Sequence, residues 1–164
     1  MSRRLDLRQF QQDLSNRMQE EAQGGERVTA LGIEIGSELW LVEMSDIGEV
    51  HAVPPTTAVP LARPWYCGVA NVRGSLYSIV DLPAYMGYGS VQKSARNRVL
   101  LIAPRYGFNT GLLVSRVFGL RNPRNWRRNE EDSKVLYEDS AGQVWRQLDI
   151  PELLGQPEFL HAGI

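Results

Sequence analysis

The stretch Gly74-Ser-Leu-Tyr-Ser-Ile-Val-Asp81-Leu-Pro-Ala-Tyr-Met-Gly87 occurs twice in this chain in recognisable form. The second copy, Gly142-Gln-Val-Trp-Arg-Gln-Leu-Asp149-Ile-Pro-Glu-Leu-Leu-Gly155, follows at an offset of 68 residues without a gap. In each copy a glycine opens a turn, apolar residues form a strand, and an aspartate caps a short helical turn in which proline presets φ. The repeat therefore predicts two similar small β units, with Asp81 and Asp149 as capping residues rather than catalytic acids.

The repeat also constrains how the two units are arranged. The chain has 164 residues, and a unit of about half that size buries too little apolar surface to fold alone. A weaker echo at an offset of 70 residues aligns Ile47 with Val117 and Val50 with Leu120. We therefore expect one domain in which two similar halves share an interface.

The sequence outside the repeat consists of short apolar runs separated by turn residues. Leu31, Ile33 and Ile35 alternate with Gly32 and Glu34, which is typical of a half-buried strand. Other strands are predicted at 38–42, 45–53, 76–82, 98–103, 112–117, 135–137 and 144–148. The proline-rich segment 54–64 and the polar segment 121–133 are predicted as loops. This spacing favours a mainly β sandwich or barrel.

Composition excludes several classes of protein. Hydrophobic residues make up 43% of the chain and charged residues 23%, which is typical of a globular domain. One cysteine, Cys67, cannot form an internal disulfide, and two distant histidines, His51 and His161, argue against a metal site. No apolar run approaches the roughly 20 residues that cross a bilayer, and no secretory apolar segment is seen. We therefore expect a cytoplasmic protein without a cofactor.

The charges are distributed unevenly along the chain. Residues 82–129 carry nine basic and no acidic side chains, whereas residues 130–164 carry two basic and eight acidic ones. Such asymmetry often marks a docking face. Because the two segments adjoin in sequence, neutralisation of one by the other within the fold is the favoured interpretation.

Three segments are predicted along the chain. Residues 1–27 form an N-terminal extension with an amphipathic helix over 5–22, whose apolar face comprises Leu7, Phe10, Leu14 and Met18. Residues 28–155 form the β domain, and residues 156–164 form a C-terminal tail.

One motif carries a resemblance to a known family. Gly68-Val-Ala-Asn71-Val-Arg73-Gly74, followed by Ile79-Val80-Asp81-Leu82, resembles the CheW-like domain, and the similarity extends over residues 28–155. Glu49 matches a glutamate in the third strand of that family, and Gly111-Leu-Leu-Val-Ser-Arg-Val117 resembles one of its later strands. Ser115 and Ser78 stand where the family usually has Asp and Pro.

The resemblance implies a fold and a function. The fold would be two packed five-stranded SH3-like β-barrels, with an N-terminal helix and short helical turns. The function would be that of a non-catalytic adaptor, which couples the cytoplasmic tip of a methyl-accepting chemoreceptor to the regulatory domain of a CheA-type histidine kinase. The N-terminal helix points to the twitching-motility branch of the family. The adaptor would join membrane-bound receptor arrays through its partners, without inserting into the membrane itself.

The resemblance also implies where the receptor binds. A receptor tip is a helical hairpin, so its site should be a groove with an apolar floor between the barrels. The candidate lining residues are Met44, Ile47, Val50, Gly68 and Val114, although Ile47, Val50 and Val114 taken singly fit ordinary core positions. Gly68 would allow a helix backbone to approach closely. The kinase contact should lie at a barrel end.

The loop that carries the motif is expected to be ordered by its own polar residues. Arg73 and Glu49 are predicted to form an ion pair that fixes this loop, with little net gain in stability. Asn71 is predicted to bond the loop backbone, in a left-handed conformation, next to a structural Gly74. Arg73 is the residue of this group for which direct partner contact is as plausible as a structural role.

Two other functions were compared with the adaptor. The block 105–128 contains Arg121-Asn-Pro-Arg124-Asn-Trp126-Arg127-Arg128, which interleaves basic residues with an aromatic as in single-strand nucleic-acid binders. The acidic run that follows this block, and the mildly acidic pI of about 6.1, argue against nucleic acid as a partner. An enzyme would need a base near Cys67, and only His51 offers one, so Cys67 is interpreted as a buried small hydrophobe.

Overall fold

The computed structural model describes residues 29–160, which form two β-sheets packed face to face over a common core. The first sheet has five strands in the order β3-β6-β7-β5-β4. Their bounds are β3 (Ile47–Ala52), β4 (Tyr66–Val72), β5 (Ser75–Asp81), β6 (Arg98–Ile102) and β7 (Thr110–Val114). The predicted N-terminal helix at 5–22 lies outside the described residues.

The second sheet has six strands in the order β8-β1-β2-β11-β10-β9. Their bounds are β1 (Ala30–Ile35), β2 (Glu38–Glu43), β8 (Arg116–Arg121), β9 (Arg127–Glu131), β10 (Lys134–Glu138) and β11 (Val144–Leu148). The prediction of a mainly β protein built from two SH3-like units is confirmed. The predicted loop at 121–133 is wrong, because it contains β9, which gives this sheet a sixth strand.

Five strands of the second sheet match the first sheet position by position. In both sheets one pair is parallel, β5 with β7 and β11 with β2, and each flanking pair is antiparallel. The offset-70 echo places β3 and β8 at equivalent edges. The N-terminal hairpin β1–β2 completes the sheet formed by the C-terminal strands, so the two halves are intertwined in sequence.

Each copy of the repeat ends in a short helix. α1 (Leu82–Tyr85) follows β5, and α2 (Ile150–Leu154) follows β11. The Asp81 carboxylate accepts a hydrogen bond from the backbone N–H of Ala84 at 3.1 Å, and Asp149 accepts one from Glu152 at 3.1 Å. The predicted capping role of both aspartates is therefore confirmed.

The common core is formed by residues from both sheets and from the helices. Along the strands, alternate residues face it, as the period of two requires. Equivalent residues of the two repeat copies occupy it: Val80 with Leu148, and Leu82 with Ile150. The buried side chains of this core are Leu31, Ile33, Ile35, Val42, Ile47, Val80, Leu82, Leu100, Ile102, Leu112, Val114, Leu148, Ile150, Leu153, Leu154 and Phe159.

Each sheet also encloses a core of its own. In the first sheet this core is aliphatic and consists of Ala70, Val72, Ile79, Val99, Leu101 and Leu113. In the second sheet it consists of Ala30, Leu41 and Trp145, with the half-buried rings of Phe118, Trp126 and Tyr137 packed against them. The strands β1, β6 and β7 are buried along almost their whole length, because one face of each contributes to an inner core and the other to the common core.

Residues 156–159 are part of the domain rather than of a separate tail. α3 (Pro157–Leu160) places Phe159 in the common core, where its ring lies parallel to Trp65 at 6.2 Å and edge-on to Tyr85 at 5.4 Å. This contact corrects the predicted tail at 156–164 for the residues up to Phe159. None of the helices in the described part of the chain has the length and apolar character needed to span a membrane.

Candidate partner-binding surface

Strand β3 forms one edge of the first sheet and carries three of the predicted site residues. Its register against β6 shifts between Ile47 and Glu49, which is a β-bulge at Gly48. After the bulge, Glu49 lies opposite Leu101 of the inner core, whereas Val50 lies opposite Leu100 of the common core. Because opposite residues share a face, the bulge directs Glu49 to the inner-core side of the sheet and Val50 to the side of the common core.

The predicted ion pair between Glu49 and Arg73 is confirmed. The Arg73 guanidinium contacts the Glu49 carboxylate, and the imidazole Nε2 of His51 lies 3.4 Å from the other carboxylate oxygen. β3 and β4 are opposite edges of the first sheet, so this pair joins the two edges and closes the sheet into a barrel. The Arg73 side chain remains 69% exposed, so the pair lies at the surface and is screened by solvent.

The hairpin that carries Arg73 has a two-residue loop. Val72 and Ser75 pair across it, and the loop residues Arg73 and Gly74 have φ of 51° and 86°. Two left-handed residues in succession are typical of the type I′ turn that suits a twisted hairpin. Asn71 accepts a hydrogen bond from the Gly74 N–H at 2.9 Å, as predicted, but it is Arg73 and not Asn71 that is left-handed.

Gly68 has a different role from the one predicted. Its φ is 129°, and a Cβ at this position would lie 2.1 Å from the carbonyl oxygen of Thr57. Thr57 belongs to the proline-rich segment and pairs with Val69 through two backbone hydrogen bonds. Gly68 is therefore required by the chain's own segment 54–64, which occupies the space that a partner helix was expected to use.

Two of the predicted groove residues are interior. Val114 is 0% exposed and Ile47 is 7% exposed, and both belong to the common core. The space between the sheets is filled by that core, so these side chains hold the sheets together and do not line a groove. Met44 remains half-buried at its border, in the short 3-10 turn that leads from β2 to β3.

The border of the common core is apolar and partly exposed. We call it the seam rim, and it consists of Trp40, Met44, Trp65, Tyr66, Tyr85, Met86, Tyr106 and Val117. Val50 and Leu120 extend it on β3 and β8, where they are 38% and 49% exposed. They are the pair aligned by the offset-70 echo, so both sheets present an exposed aliphatic residue beside the common core.

A second cluster of charged residues lies beside Met44. Asp46 is buried and accepts hydrogen bonds from the Arg105 guanidinium and the Tyr106 hydroxyl, while Arg105 also bonds the Ser45 carbonyl. The bond to Asp46 raises the pKa of Tyr106 above its ordinary value. Sequence reasoning missed this cluster, because its residues are about sixty positions apart and belong to no motif.

The two departures from the family motif are explained by local contacts. The Ser115 hydroxyl accepts a hydrogen bond from the Gly36 N–H at 3.2 Å, where the chain crosses from β7 to β8. The Tyr66 hydroxyl donates to Ser78 at 2.8 Å. Ser115 therefore links the start of β8 to the turn between β1 and β2, and Ser78 links β5 to β4.

Cys67 has the properties of a structural thiol. Burial, and then the nearby Asp81 carboxylate, raise the pKa of Cys67 to about 11. The thiolate is the nucleophilic form, so such a thiol is unreactive near neutral pH. His51, the one base considered for it, contacts Glu49 instead.

The basic block is largely engaged by the fold. Arg105 lies over the ring of Tyr106 at 4.6 Å, Arg116 over Phe118 at 4.6 Å, and Arg121 over Trp145 at 5.9 Å. The ring of Trp126 packs against Trp145 at 5.8 Å rather than standing free for base stacking. Of the ion pairs between described residues, only that of Arg128 with Glu130 joins the basic block to the acidic segment. The arginines of the block are therefore held by stacking on aromatic rings of the fold, more than by the predicted neutralisation with the acidic segment.

Known proteins resemble this chain in sequence. PilI of Pseudomonas aeruginosa is 34% identical over 94 residues, which cover 57% of this chain and 52% of that protein. The probable chemotaxis protein CheW of Rhizobium etli is 31% identical over 87 residues, which cover 53% of this chain and 56% of that protein. The chain thus spans little more than half the length of these curated relatives.

The fold is also known from a solved structure. The scaffolding protein CheW of Thermoanaerobacter tengcongensis superimposes with a TM-score of 0.66 at 18% identity, covering 76% of this chain and 90% of that one. The model of the CheW-like domain matches residues 29–158, which include both sheets and the ion pair of Glu49 with Arg73. The chain therefore belongs to the CheW-like domain family.

Proposed function

We propose that this protein is a non-catalytic adaptor that couples a methyl-accepting chemoreceptor to a CheA-type histidine kinase. The observation that carries the proposal is the ion pair of Glu49 with Arg73, which closes the first barrel at the surface beside the exposed Val50. This constellation lies within the part of the chain matched by the CheW-like domain. The similarity to PilI supports a place in a twitching-motility chemosensory system.

The receptor would bind along the seam rim. A helical hairpin presents apolar side chains at three- and four-residue steps, and the rim offers a partly exposed apolar strip beside Val50. Met44 and Met86 allow such a strip to adapt to a helix, because methionine side chains are flexible. Arg73 and Glu49 would hold the adjoining hairpin in one position and supply charges at the edge of the contact.

The kinase would bind at the hairpin end of the second barrel. Val144 is an exposed apolar residue there, equivalent in the repeat to Leu76 of the first barrel. An interface centred on such a residue, with a polar rim, is the ordinary anatomy of a specific contact. Use of the second barrel would leave the Arg73 hairpin to the receptor, so that both partners bind at once. Through them the adaptor would be held at a membrane-bound array.

Reversal of charge at Arg73 tests the receptor contact. We expect Arg73→Glu to abolish recovery of a receptor cytoplasmic fragment in a pulldown while circular dichroism remains that of the folded protein. Arg63→Glu is the matched control, because Arg63 is an exposed arginine in the proline-rich segment of the same barrel, and it should bind normally. Equal binding by Arg73→Glu and wild type would contradict the proposal.

A double variant separates ordering from direct contact. Glu49→Arg combined with Arg73→Glu restores the ion pair with its charges exchanged. If the pair acts only by ordering the hairpin, the double variant should regain receptor binding that the single variant lost. If Arg73 contacts the receptor itself, binding should remain lost.

A further inference from the structure

Strand β9 forms an edge of the second sheet, and its counterpart in the first sheet is reduced to the single bridge of Thr57 with Val69, the residue equivalent to Tyr137 at the repeat offset of 68. Strand β9 pairs with β10 only, and none of its backbone groups bonds elsewhere among the described residues. All five of its side chains are exposed. A free strand edge is a template for pairing with another chain unless something covers or blocks it.

The backbone groups of β9 that bond no other described residue can be identified. Glu131 and Lys134 flank a two-residue turn in which Asp132 and Ser133 have φ of 51° and 64°. Residues that flank such a turn form a hydrogen-bonded pair, and such pairs alternate along an antiparallel ladder. Arg127, Asn129 and Glu131 therefore direct their N–H and C=O groups to β10. Arg128 and Glu130 direct theirs outward.

The sequence of β9, Arg127-Arg128-Asn129-Glu130-Glu131, is self-complementary in charge when it is read antiparallel. With Asn129 opposite Asn129 of a second copy, Arg127 lies opposite Glu131 and Arg128 lies opposite Glu130. The same register places Arg128 and Glu130 in hydrogen-bonded pairs, and these are the two residues whose backbone groups are free. A charged edge normally prevents pairing, but here the charges favour one partner, an identical strand.

We propose that two copies of this chain associate by antiparallel pairing of β9 with β9 about a twofold axis at Asn129. Such a contact is isologous and closes at a dimer, because the edge is used once by each copy. It would contain four backbone hydrogen bonds and four ion pairs of opposite charge. In the single chain Arg128 bonds Glu130 of its own strand at 3.0 Å, and in the dimer both would gain a partner on the second copy.

The contact is small and its charges are exposed, so it should be weak and sensitive to salt. Sedimentation velocity of the full chain over a range of concentrations measures it directly. We expect reversible dimerisation in low salt that weakens as the ionic strength rises. A wild-type chain that stays monomeric at about 0.1 mM in low salt, a concentration that populates even weak contacts, would overturn the proposal.

Charge exchange tests the register. Arg127→Glu with Arg128→Glu leaves only acidic charges on β9, and Glu130→Arg with Glu131→Arg leaves only basic ones. Each half-exchanged variant should dimerise at least about tenfold more weakly than wild type. A mixture of the two should dimerise again, and so should the chain that carries all four substitutions. Lys93→Glu with Glu152→Arg, at exposed charges outside β9, is the control and should dimerise normally.

The opposite results would overturn the proposal. One such result is that either half-exchanged variant dimerises as strongly as the wild-type chain. The other is that the chain with all four substitutions folds but does not dimerise. Glu130→Pro provides a main-chain test, because it removes an outward N–H while leaving the bonds to β10. Loss of the dimer with an unchanged circular dichroism spectrum is expected, and a dimer that persists would contradict strand pairing. Dimerisation does not depend on the adaptor function, so the two proposals stand or fall separately.

Discussion

The two barrels share one plan but fill it with different side chains. The first barrel encloses aliphatic residues with the half-buried Tyr77 packed against them, whereas the second encloses Trp145 with Phe118 and Trp126 against it at 5.9 Å and 5.8 Å. The five-strand order is the same in both. The comparison teaches that the alternation of inward and outward residues decides this topology, and that the identity of the inward residues decides only how the interior is packed.

The difference in packing extends to the neighbouring glycines. A Cβ on Gly32 would lie 3.0 Å from the Trp145 ring, and a Cβ on Gly111 would lie 2.6 Å from a Val99 methyl group. Each barrel therefore leaves space beside its interior side chains by using glycine in a strand. The position differs between the barrels, because one large ring and several small aliphatic groups need space at different places.

The largest expected effect comes from emptying the second barrel. Trp145 is almost completely buried, and its indole N–H donates to Asp139 at 3.0 Å. We expect Trp145→Ala to lower the free energy of unfolding by about 3–5 kcal/mol, the usual cost of a deleted buried aromatic. Tyr77→Ala, at the equivalent but half-buried position, should cost clearly less. Urea unfolding curves measure both, and equal losses would show that the two interiors are energetically alike.

The next largest effect is a difference in stability between variants of the two capping aspartates. The buried Asp81 accepts a second hydrogen bond, from the Val91 N–H at 2.9 Å, whereas the exposed Asp149 accepts, from the described residues, only the one from its helix. Asp81→Ala should cost about 3 kcal/mol, because it loses a cap and leaves a second N–H without a partner. Asp149→Ala should cost about 1 kcal/mol. The same urea curves test this order, and a larger loss for Asp149→Ala would contradict it.

The smallest effect concerns the hairpin turns and depends on pH. Asn71 in the first barrel and Asp139 in the second stand 68 residues apart, and both accept hydrogen bonds from their turns. The bond from Trp145, then those from Gln143 and Ala141, and the charge of Arg121 hold the pKa of Asp139 below its ordinary value. Asp139 therefore adds stability above its unfolded pKa of about 3.9, and this is lost as the pH falls through its folded pKa.

Asp139→Asn places an uncharged amide in the turn of the second barrel, as Asn71 does in the first. We expect the variant to lose less stability than wild type between about pH 5 and pH 2, because one titrating group has been removed. Unfolding curves at a series of pH values measure the difference. Parallel pH profiles for the two proteins would show that this carboxylate does not contribute to acid sensitivity.

Much of the fold followed from local patterns, and the errors share a physical cause. The repeat predicted both capped turns, and strands were predicted where β1 and β11 lie, although β1 is buried on both faces rather than half-buried. β9 was missed because all its residues are polar and exposed, so no apolar period marks it. β4 was not predicted, because its glycine and alanine at 68 and 70 give a weak strand signal.

The site was predicted less completely than the fold. The ion pair of Glu49 with Arg73 was anticipated from the motif, but Val114 and Ile47 were placed at a surface and lie in the common core. The apolar residues of a strand show the same sequence pattern whether their face packs on another sheet or lines a groove. Only the packing of the second sheet distinguishes the two.

By itself, therefore, the sequence determined two copies of a capped strand unit, their offset and the alternation that makes each a sheet, because these depend on residues close together in the chain. The tertiary structure alone decided that the β1–β2 hairpin completes the second barrel, that Asp46 contacts Arg105 and that the segment at Thr57 covers Gly68. It also decided that β9 pairs, among the described residues, with β10 only. These contacts join residues distant in sequence, and their free energy comes from burial and pairing that no local pattern encodes.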